Sequence, residues 1–340
     1  MTTEKSLHLL RKTAFVLATP AGALLLLWAF GALWYDLSIP ATGRKMVAFM
    51  LAIACGLLWF GGKRKGRIMA ISLIGLVMAW WFTLKPRSDR PWQPDVARTA
   101  SAEIQGDVVI FHNVRNCDYR TETDYTPRWE TRTVRLSNLT GVDMALTYWG
   151  SPYMAHPIMS FQFSDAPPLC FSIETRKEIG ESYSSIGGFF RQYELIYVVA
   201  DERDVVRLRT NFRTGEDVYL YRLNLTPEQV RERFMDYVTA LNKLHAKPHW
   251  YNAATTNCTT AIRTQHAAKN RAKWDWRILV NGKGDEMLYE RGALKTGGLS
   301  FPELKHRSHI NPLVRSAAEA PDYSTIIRSE LPPDSRPPSP

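Results

Sequence analysis

Cys258 is the residue in this sequence whose type and position most favour covalent chemistry. It follows small and polar residues, and the spacing in NCTTAIRTQHAAK predicts a helix that begins at or near it, with Asn257 or Thr256 as N-cap. Backbone N–H groups at a helix start stabilise a thiolate and can bind the oxyanion of a tetrahedral intermediate. Cys258 is therefore a candidate nucleophile. A small buried side chain or half of a disulfide would also fit this position.

A thiol nucleophile usually needs a base within hydrogen-bond reach. His112 and His156 lie on or beside predicted strands, and their spacing does not decide which of them faces Cys258. His266 stands eight residues further along the same predicted helix, about 12 Å along its axis, which is too far for contact. There is no HExxH motif, and His306 and His309 make only a weak metal pattern. We expect no metal and no cofactor.

Glu174 is a candidate for the third group, which would orient the imidazole. In FSIETR the strand period places Ser172 and Glu174 on one face, away from Phe171 and Ile173. An acidic residue in an otherwise apolar strand is costly unless it is paired. The alternative is a purely structural pair between Glu174 and Arg176 or another external arginine.

The chain contains four cysteines, and their distribution limits disulfide formation. Cys55 lies inside an apolar run, where it serves as a small apolar residue, whereas Cys117, Cys170 and Cys258 belong to the region after the apolar runs. Three cysteines allow at most one bridge within the chain, so at least one thiol is left over. The sequence does not say which.

Three uncharged apolar runs, 13–35, 46–60 and 68–84, dominate the start of the chain. A cleaved signal peptide would have a single apolar core, so three runs in succession predict three retained transmembrane helices, although 46–60 could be re-entrant. The runs contain no charged residue. Transport pathways usually need such residues inside the membrane, so we interpret residues 1–84 as an anchor.

The basic residues predict the orientation of this anchor. Residues 1–100 carry a net charge of +9 and the rest only +1, so the basicity belongs to the membrane-flanking part and does not favour a nucleic-acid surface. The cluster from Lys63 to Arg67 predicts a cytoplasmic loop between the second and third helices. The N-terminus would then be cytoplasmic, and residues after about 85 would lie on the opposite side of the membrane.

The external region is predicted to be an α+β domain. Residues 85–103 are interpreted as a tether, 104–327 as the domain and 328–340 as a disordered tail. Short strands come first, including two separated by a turn near 150–152. A helix capped by Thr226, Pro227 and Gln229 then follows, and Pro248 ends it. Strands followed by helices are typical of the α+β class.

Five strings in this region resemble the bacterial family defined by the Lnb-type N-terminal periplasmic domain. They cover about residues 107–270 and are YWGSPYMAHPIMSFQF, FSIETRKEIGESYS, GFFRQYELIYVVADERD, EDVYLYRLNLTPEQV and YNAATTNCTTAIR. The resemblance implies a circularly permuted papain-like fold, similar to the lecithin–retinol acyltransferase group. It implies His156 as base and Cys258 as nucleophile, with Glu174 as third member.

The resemblance also implies acyl chemistry. The branch that gives the family its name is a lipoprotein N-acyltransferase, in which the membrane helices follow the periplasmic domain, whereas here they precede it. We expect a membrane-anchored periplasmic cysteine acyltransferase or hydrolase that acts through an acyl-thioester on Cys258. Its partners would be membrane lipid and a lipoprotein or cell-wall peptide. A cell-wall peptide amidase or peptidase and a non-catalytic envelope binding module are the alternatives.

Overall fold

A computed structural model describes residues 2–265, 273–278, 281–314, 320 and 322–332. The chain divides into two compact units. The first unit contains residues 1–87 with the segments Ser182–Tyr193 and Trp250–Ala253, and the second contains the remainder.

Three helices form most of the first unit: α1 (Thr2–Asp36), α2 (Ala41–Gly61) and α3 (Arg64–Thr83). By length and composition α2 and α3 could cross a membrane, which supports two of the three predicted spans. The remaining predicted span, 13–35, lies within α1, and its first side chains are outside the described part of the chain. A third span therefore stays a prediction.

The segment Ser182–Tyr193 is tied to the ends of α1 and α3 within this unit. The carboxylate of Asp36 accepts hydrogen bonds from Trp81 Nε1 at 2.6 Å and from the backbone N–H of Arg191 at 3.1 Å. The Arg191 guanidinium lies 3.8 Å from the Trp81 ring centroid and donates to the carbonyl oxygen of Leu84 at 2.7 Å. These contacts combine hydrogen bonds with a cation–π interaction.

The second unit is built on an eight-stranded mixed sheet, in agreement with the predicted α+β class. Its strand order is β1-β2-β9-β8-β7-β6-β10, with β5 also paired to β2; β2 and β9 run parallel and the other pairs antiparallel. Two further short strands, β3 and β4, pair with each other. The strands are β1 (Ser101–Gln105), β2 (Val108–Arg115), β3 (Asp118–Tyr119), β4 (Tyr125–Thr126), β5 (Trp129–Arg135), β6 (Leu139–Trp149), β7 (Ser151–Phe163), β8 (Leu169–Arg176), β9 (Glu194–Asp201) and β10 (Glu216–Arg222).

Helices follow the strands in the chain, as predicted, apart from a short one between β9 and β10. The helix expected after Thr226 is confirmed, with a capping box between Thr226 and Gln229, and it ends at Ala246, before Pro248. The helices are α4 (Glu202–Arg207), α5 (Pro227–Ala246), α6 (Cys258–Gln265), α7 (Gly284–Glu290), α8 (Phe301–Ser308), α9 (Asn311–Val314) and α10 (Tyr323–Ile326).

Apolar side chains cover both faces of the sheet. Five rings from β2, β7, β8 and α5 form an edge-to-face aromatic cluster on one face: Phe111, Phe161, Phe171, Phe234 and Tyr237. Ile158, Cys170 and Val198 point to the other face, where they belong to a core cluster with Val314 and Ile327. The two cores fix β7 and β8, which carry the candidate site residues.

The prediction that residues 85–103 form a tether is wrong for most of this segment. Trp92 is buried and lies under the guanidinium of Arg176, 4.2 Å from the ring centroid. Arg176 also donates to the carbonyl oxygen of Val96 at 2.9 Å. The second unit begins at Ser88, because these long-range contacts order a segment whose composition resembles that of a linker.

The predicted disordered tail begins too early at residue 328. Arg328 donates to Asp143 Oδ2 at 2.8 Å and to Glu202 Oε2 at 2.9 Å, and Leu331 is buried in the core. Residues 328–332 are therefore part of the domain. The remaining tail residues, 333–340, lie outside the described residues.

Candidate functional site

Cys258 is the first residue of α6, as the cap signals predicted. The Oδ1 atom of Asn257 accepts a hydrogen bond from the Thr260 N–H at 2.9 Å, so Asn257 caps the helix. This places the Cys258 side chain at the end of α6 where N–H groups are unpaired. It is 8% exposed.

His156 lies where β7 and β8 separate. Within the described residues, the last β7–β8 pair is Ile158 opposite Ser172, although β7 continues beside β6 and β8 continues beside β9. His156 and Glu174 each stand two residues beyond that last pair. The gap between the strands allows their side chains to meet.

A short hydrogen-bond chain joins His156 to Glu174 through Ser172. His156 Nε2 lies 2.7 Å from Ser172 Oγ and 3.4 Å from Glu174 Oε1, and Ser172 Oγ donates to the same Glu174 oxygen at 2.7 Å. Since the hydroxyl proton is used on Glu174, Ser172 accepts from His156 Nε2–H. This leaves the other ring nitrogen, Nδ1, for Cys258, with which His156 interacts electrostatically. The sequence analysis placed Ser172 beside Glu174 but gave it no role.

Arg209 completes the support of Glu174. Its Nη2 donates to Glu174 Oε1 at 3.0 Å, and its Nη1 lies 3.2 Å from Glu216 Oε2. The structural arginine pair considered for Glu174 therefore exists alongside the contact with His156. Its partner is Arg209 and not Arg176. The sequence contains no local signal for this choice, because Arg209 is 35 residues from Glu174.

The pKa of His156 is raised to about 9 by its surroundings. Burial and the positive charge of Arg209 work against the protonated ring, but the carboxylate of Glu174 and the hydrogen bonds to Glu174 and Cys258 outweigh them. The same pairing holds the pKa of Glu174 well below its usual value despite its burial. An imidazolium–carboxylate pair is therefore the stable form near neutral pH.

Cys258 differs from the other two cysteines of this unit. Burial acts to raise the pKa of each of the three thiols. The pKa of Cys117 reaches about 12, and that of Cys170 is raised strongly. At Cys258 the hydrogen bond and charge of His156, with hydrogen bonds to Thr259, outweigh burial and lower the pKa. A lowered pKa is characteristic of reactive cysteines.

The four cysteines, all in the described part of the chain, are unpaired. The disulfide that would have removed Cys258 from chemistry is therefore not formed.

Asn281 is a site residue that the sequence analysis missed. Its Nδ2 donates to Cys258 Sγ at 3.7 Å, and its Oδ1 accepts from the backbone N–H of Ala155 at 3.0 Å. Asn281 thus connects Cys258 to the residue just before His156. Its separation of 126 residues from Ala155 hides this contact from sequence patterns.

Gly282 allows Asn281 to approach β7 closely. A Cβ atom at Gly282 would lie 2.5 Å from the carbonyl oxygen of Pro152, a distance that real Cβ atoms do not show. The Gly282 carbonyl also accepts a hydrogen bond from Tyr148 Oη at 2.9 Å. Both contacts fix the segment that carries Asn281.

The other histidines considered lie elsewhere. His112 is partly exposed and pairs with Glu103 at 2.9 Å, and His309 contacts Asp217 at 3.0 Å. His266 lies outside the described residues. Over the part of the chain that the structure describes, no group of three or more His, Cys, Asp or Glu residues could hold a metal ion.

Comparison with known proteins identifies a related domain family. Residues 125–282 match the family model of the Lnb N-terminal periplasmic domain, and this range includes His156, Glu174, Cys258 and Asn281. No curated protein and no solved structure matches the chain. With its two candidate membrane helices, the chain is a membrane protein with a periplasmic domain. Over residues 125–282, the chain is similar to the Lnb N-terminal periplasmic domain family.

Proposed function

We propose that this protein is a membrane-anchored cysteine acyltransferase or hydrolase that works through an acyl-thioester on Cys258. His156 is the general acid and base of the reaction. Glu174 orients the imidazole ring of His156 and stabilises its protonated form. The observation that carries the proposal is the contrast among the thiols. Cys258 alone of the three in its unit has a lowered pKa, and its partner is a histidine held by a carboxylate.

The first half-reaction forms the thioester. The Cys258 thiolate attacks the carbonyl carbon of an ester or amide, a carbon–sulfur bond forms, and the carbonyl electron pair moves onto oxygen. The oxyanion collapses and breaks the bond to the leaving alcohol or amine, which takes the proton from Nδ1 of the His156 imidazolium. N–H groups at the start of α6 face the oxyanion.

The second half-reaction releases the acyl group. Neutral His156 takes a proton from an amine or from water as that molecule attacks the thioester. The tetrahedral intermediate expels the Cys258 thiolate, which restores the thiolate–imidazolium pair. An amine acceptor makes the protein a transferase, and water makes it a hydrolase.

Membrane lipid is the proposed acyl donor, and a lipoprotein amine is the proposed acceptor. The anchor supports this choice, since it keeps the domain at a lipid surface in any orientation. The proposal includes a third span within α1 and a cytoplasmic N-terminus. It also includes a circularly permuted papain-like arrangement, for which the support is the order of the histidine strand β7 before the cysteine helix α6.

The test is to look for the acyl group on the proposed nucleophile. We expect the purified full-length chain in detergent micelles, mixed with a phospholipid of defined chains, to gain the mass of one chain on the peptide that contains Cys258. Cys258→Ala should not gain it, whereas Cys117→Ala should, because Cys117 is buried with a raised pKa. Equal lysophospholipid release by Cys258→Ala, or no adduct on the wild-type chain with several phospholipid classes, would contradict the proposal.

A further inference from the structure

We propose that Asn281 is a catalytic residue whose side-chain amide binds the oxyanion together with the N–H groups at the start of α6. This inference rests on the proposed acyl chemistry of Cys258 and names a donor for its transition state. It concerns a residue 23 positions beyond the nucleophile, on a short 3₁₀ turn.

The two ends of the Asn281 amide have different partners. Oδ1 is held by the Ala155 N–H at 3.0 Å, a hydrogen bond of ordinary length between two strong groups. Nδ2 faces Cys258 Sγ at 3.7 Å, and sulfur is a weak acceptor. The donor is thus positioned by its own oxygen and directed at the nucleophile, where it can bind a stronger acceptor.

The reaction produces such an acceptor at this place. When Sγ bonds to the carbonyl carbon, the oxygen that becomes negative is separated from Sγ by that carbon alone. A donor beside Sγ lies within reach of the oxyanion, for which the required distance is about 2.7–3.1 Å. The Asn281 amide therefore gains a short, charge-assisted hydrogen bond as the oxyanion forms, and loses it when the carbonyl is restored.

The surrounding contacts keep this donor in place before the substrate arrives. Ala155 precedes His156 on β7, so the hydrogen bond to Ala155 fixes Asn281 relative to the base as well as to the nucleophile. Gly282 packs against the backbone of Pro152 and Tyr153, and Tyr148 binds the Gly282 carbonyl. Such pre-organisation is what makes oxyanion donors effective.

A competing role is stabilisation of the resting thiolate, and two reactions of the same thiol separate the roles. Alkylation by iodoacetamide displaces iodide from a tetrahedral carbon and forms no oxyanion. Acylation by a 4-nitrophenyl ester forms one. Both rates increase with the thiolate fraction. A change in the pKa of Cys258 therefore alters both rates alike, and its effect cancels in the ratio of acylation to alkylation.

We expect this ratio to fall about 10²-fold in Asn281→Ala and Asn281→Asp, the usual loss when one oxyanion donor is removed. Asn281→Asp is the sharper variant, because it keeps an acceptor for the Ala155 N–H and lacks the Nδ2 donor. Asn224→Ala is the matched control, since Asn224 binds the Gly292 carbonyl and makes no contact with Cys258 among the described residues; its ratio should not change.

The outcomes distinguish this inference from the function on which it rests. An unchanged ratio in Asn281→Asp, whether both rates fall together or neither falls, would overturn the oxyanion role and leave the acyl chemistry intact. A wild-type Cys258 that is alkylated but never acylated would contradict the proposed function and with it the donor. Thermal unfolding of each variant shows that the chain being compared is folded.

Discussion

At the scale of single residues, the environment of each thiol decides its chemistry. Cys117 and Cys170 are surrounded by protein and have a carboxylate as neighbour, so both burial and charge raise their pKa. Cys258 is also buried, but its neighbour is an imidazole that Glu174 keeps protonated. The thiolate form of the same residue type is thus disfavoured at two positions and favoured at the third.

The charge of Glu174 should set the pH range of the reaction. In Glu174→Gln the His156 ring loses the carboxylate that raises its pKa to about 9, so that pKa falls. Acid catalysis by His156 is lost as pH rises through its pKa, so the upper limit of the acylation profile should move from about pH 9 towards neutrality. The lower limit should move upwards, because the thiolate loses part of its positive partner.

The measurement is the rate of ester acylation from pH 5 to pH 10. Glu216→Gln is the matched control: Glu216 contacts the opposite side of Arg209 and should shift the upper limit less. If Glu174→Gln kept the upper limit of the wild-type chain, Glu174 would be a structural partner of Arg209 only. That is the alternative left open by the sequence.

At the scale of elements, the candidate site lies where β7 and β8 separate, and Arg209 binds Glu174 on one side of it. Arg209 belongs to the π-helical turn Leu208–Phe212 and reaches both Glu174 and Glu216. Its side chain is 6% exposed. A buried guanidinium with two carboxylate partners is a fixed connection between this turn and two strands.

Removing Arg209 should therefore disturb both stability and the pKa of His156. In Arg209→Met, Glu174 keeps His156 and Ser172 but loses its arginine, so we expect a loss of unfolding free energy on the order of 3 kcal/mol. Arg209 lowers the pKa of His156, so the upper pH limit should also move upwards. Thermal unfolding and the acylation profile check the two effects. Arg120→Met, at an exposed ion pair, should change neither.

The elements that could be predicted from the sequence are those with local signals. The start of α6 at Cys258 follows from its cap, and the shared face of Ser172 and Glu174 follows from the strand period. Asn281 and Arg209 could not be found in this way, because contacts between residues far apart in the chain bring them to the site. Only the family resemblance selected His156 over His112, since both lie on strands.

Composition predicted the domain limits poorly for a related reason. Pro, Ser and Arg are common both in linkers and in segments that pack through a few specific contacts. Trp92 forms a β-bridge with Glu178, and Arg328 forms an ion pair with Glu202. In both cases the partner is more than 80 residues away in the chain. Such contacts order both ends of the domain without leaving a local pattern.

At the scale of the whole molecule, the side of the membrane on which the domain lies determines which substrates it meets. The family of the domain is periplasmic, and α2 and α3 are apolar enough to cross the membrane. With a span in α1 as well, the N-terminus and the domain lie on opposite sides. With two spans alone they lie on the same side. Thiol labelling can therefore decide both the orientation and the number of spans.

We expect single cysteines in a Cys258→Ser background to divide into two groups when an impermeant maleimide meets cells with a sealed inner membrane. Thr123→Cys, at an exposed position of the domain, should be labelled. Lys65→Cys, at the exposed start of α3, and Thr3→Cys should be labelled only after that membrane is opened. The buried native cysteines provide a low background.

Labelling of Thr3→Cys in sealed cells would leave α2 and α3 as the spans, and labelling of Lys65→Cys would reverse the orientation. The first result would remove the cytoplasmic N-terminus, and the second would separate Cys258 from periplasmic substrates.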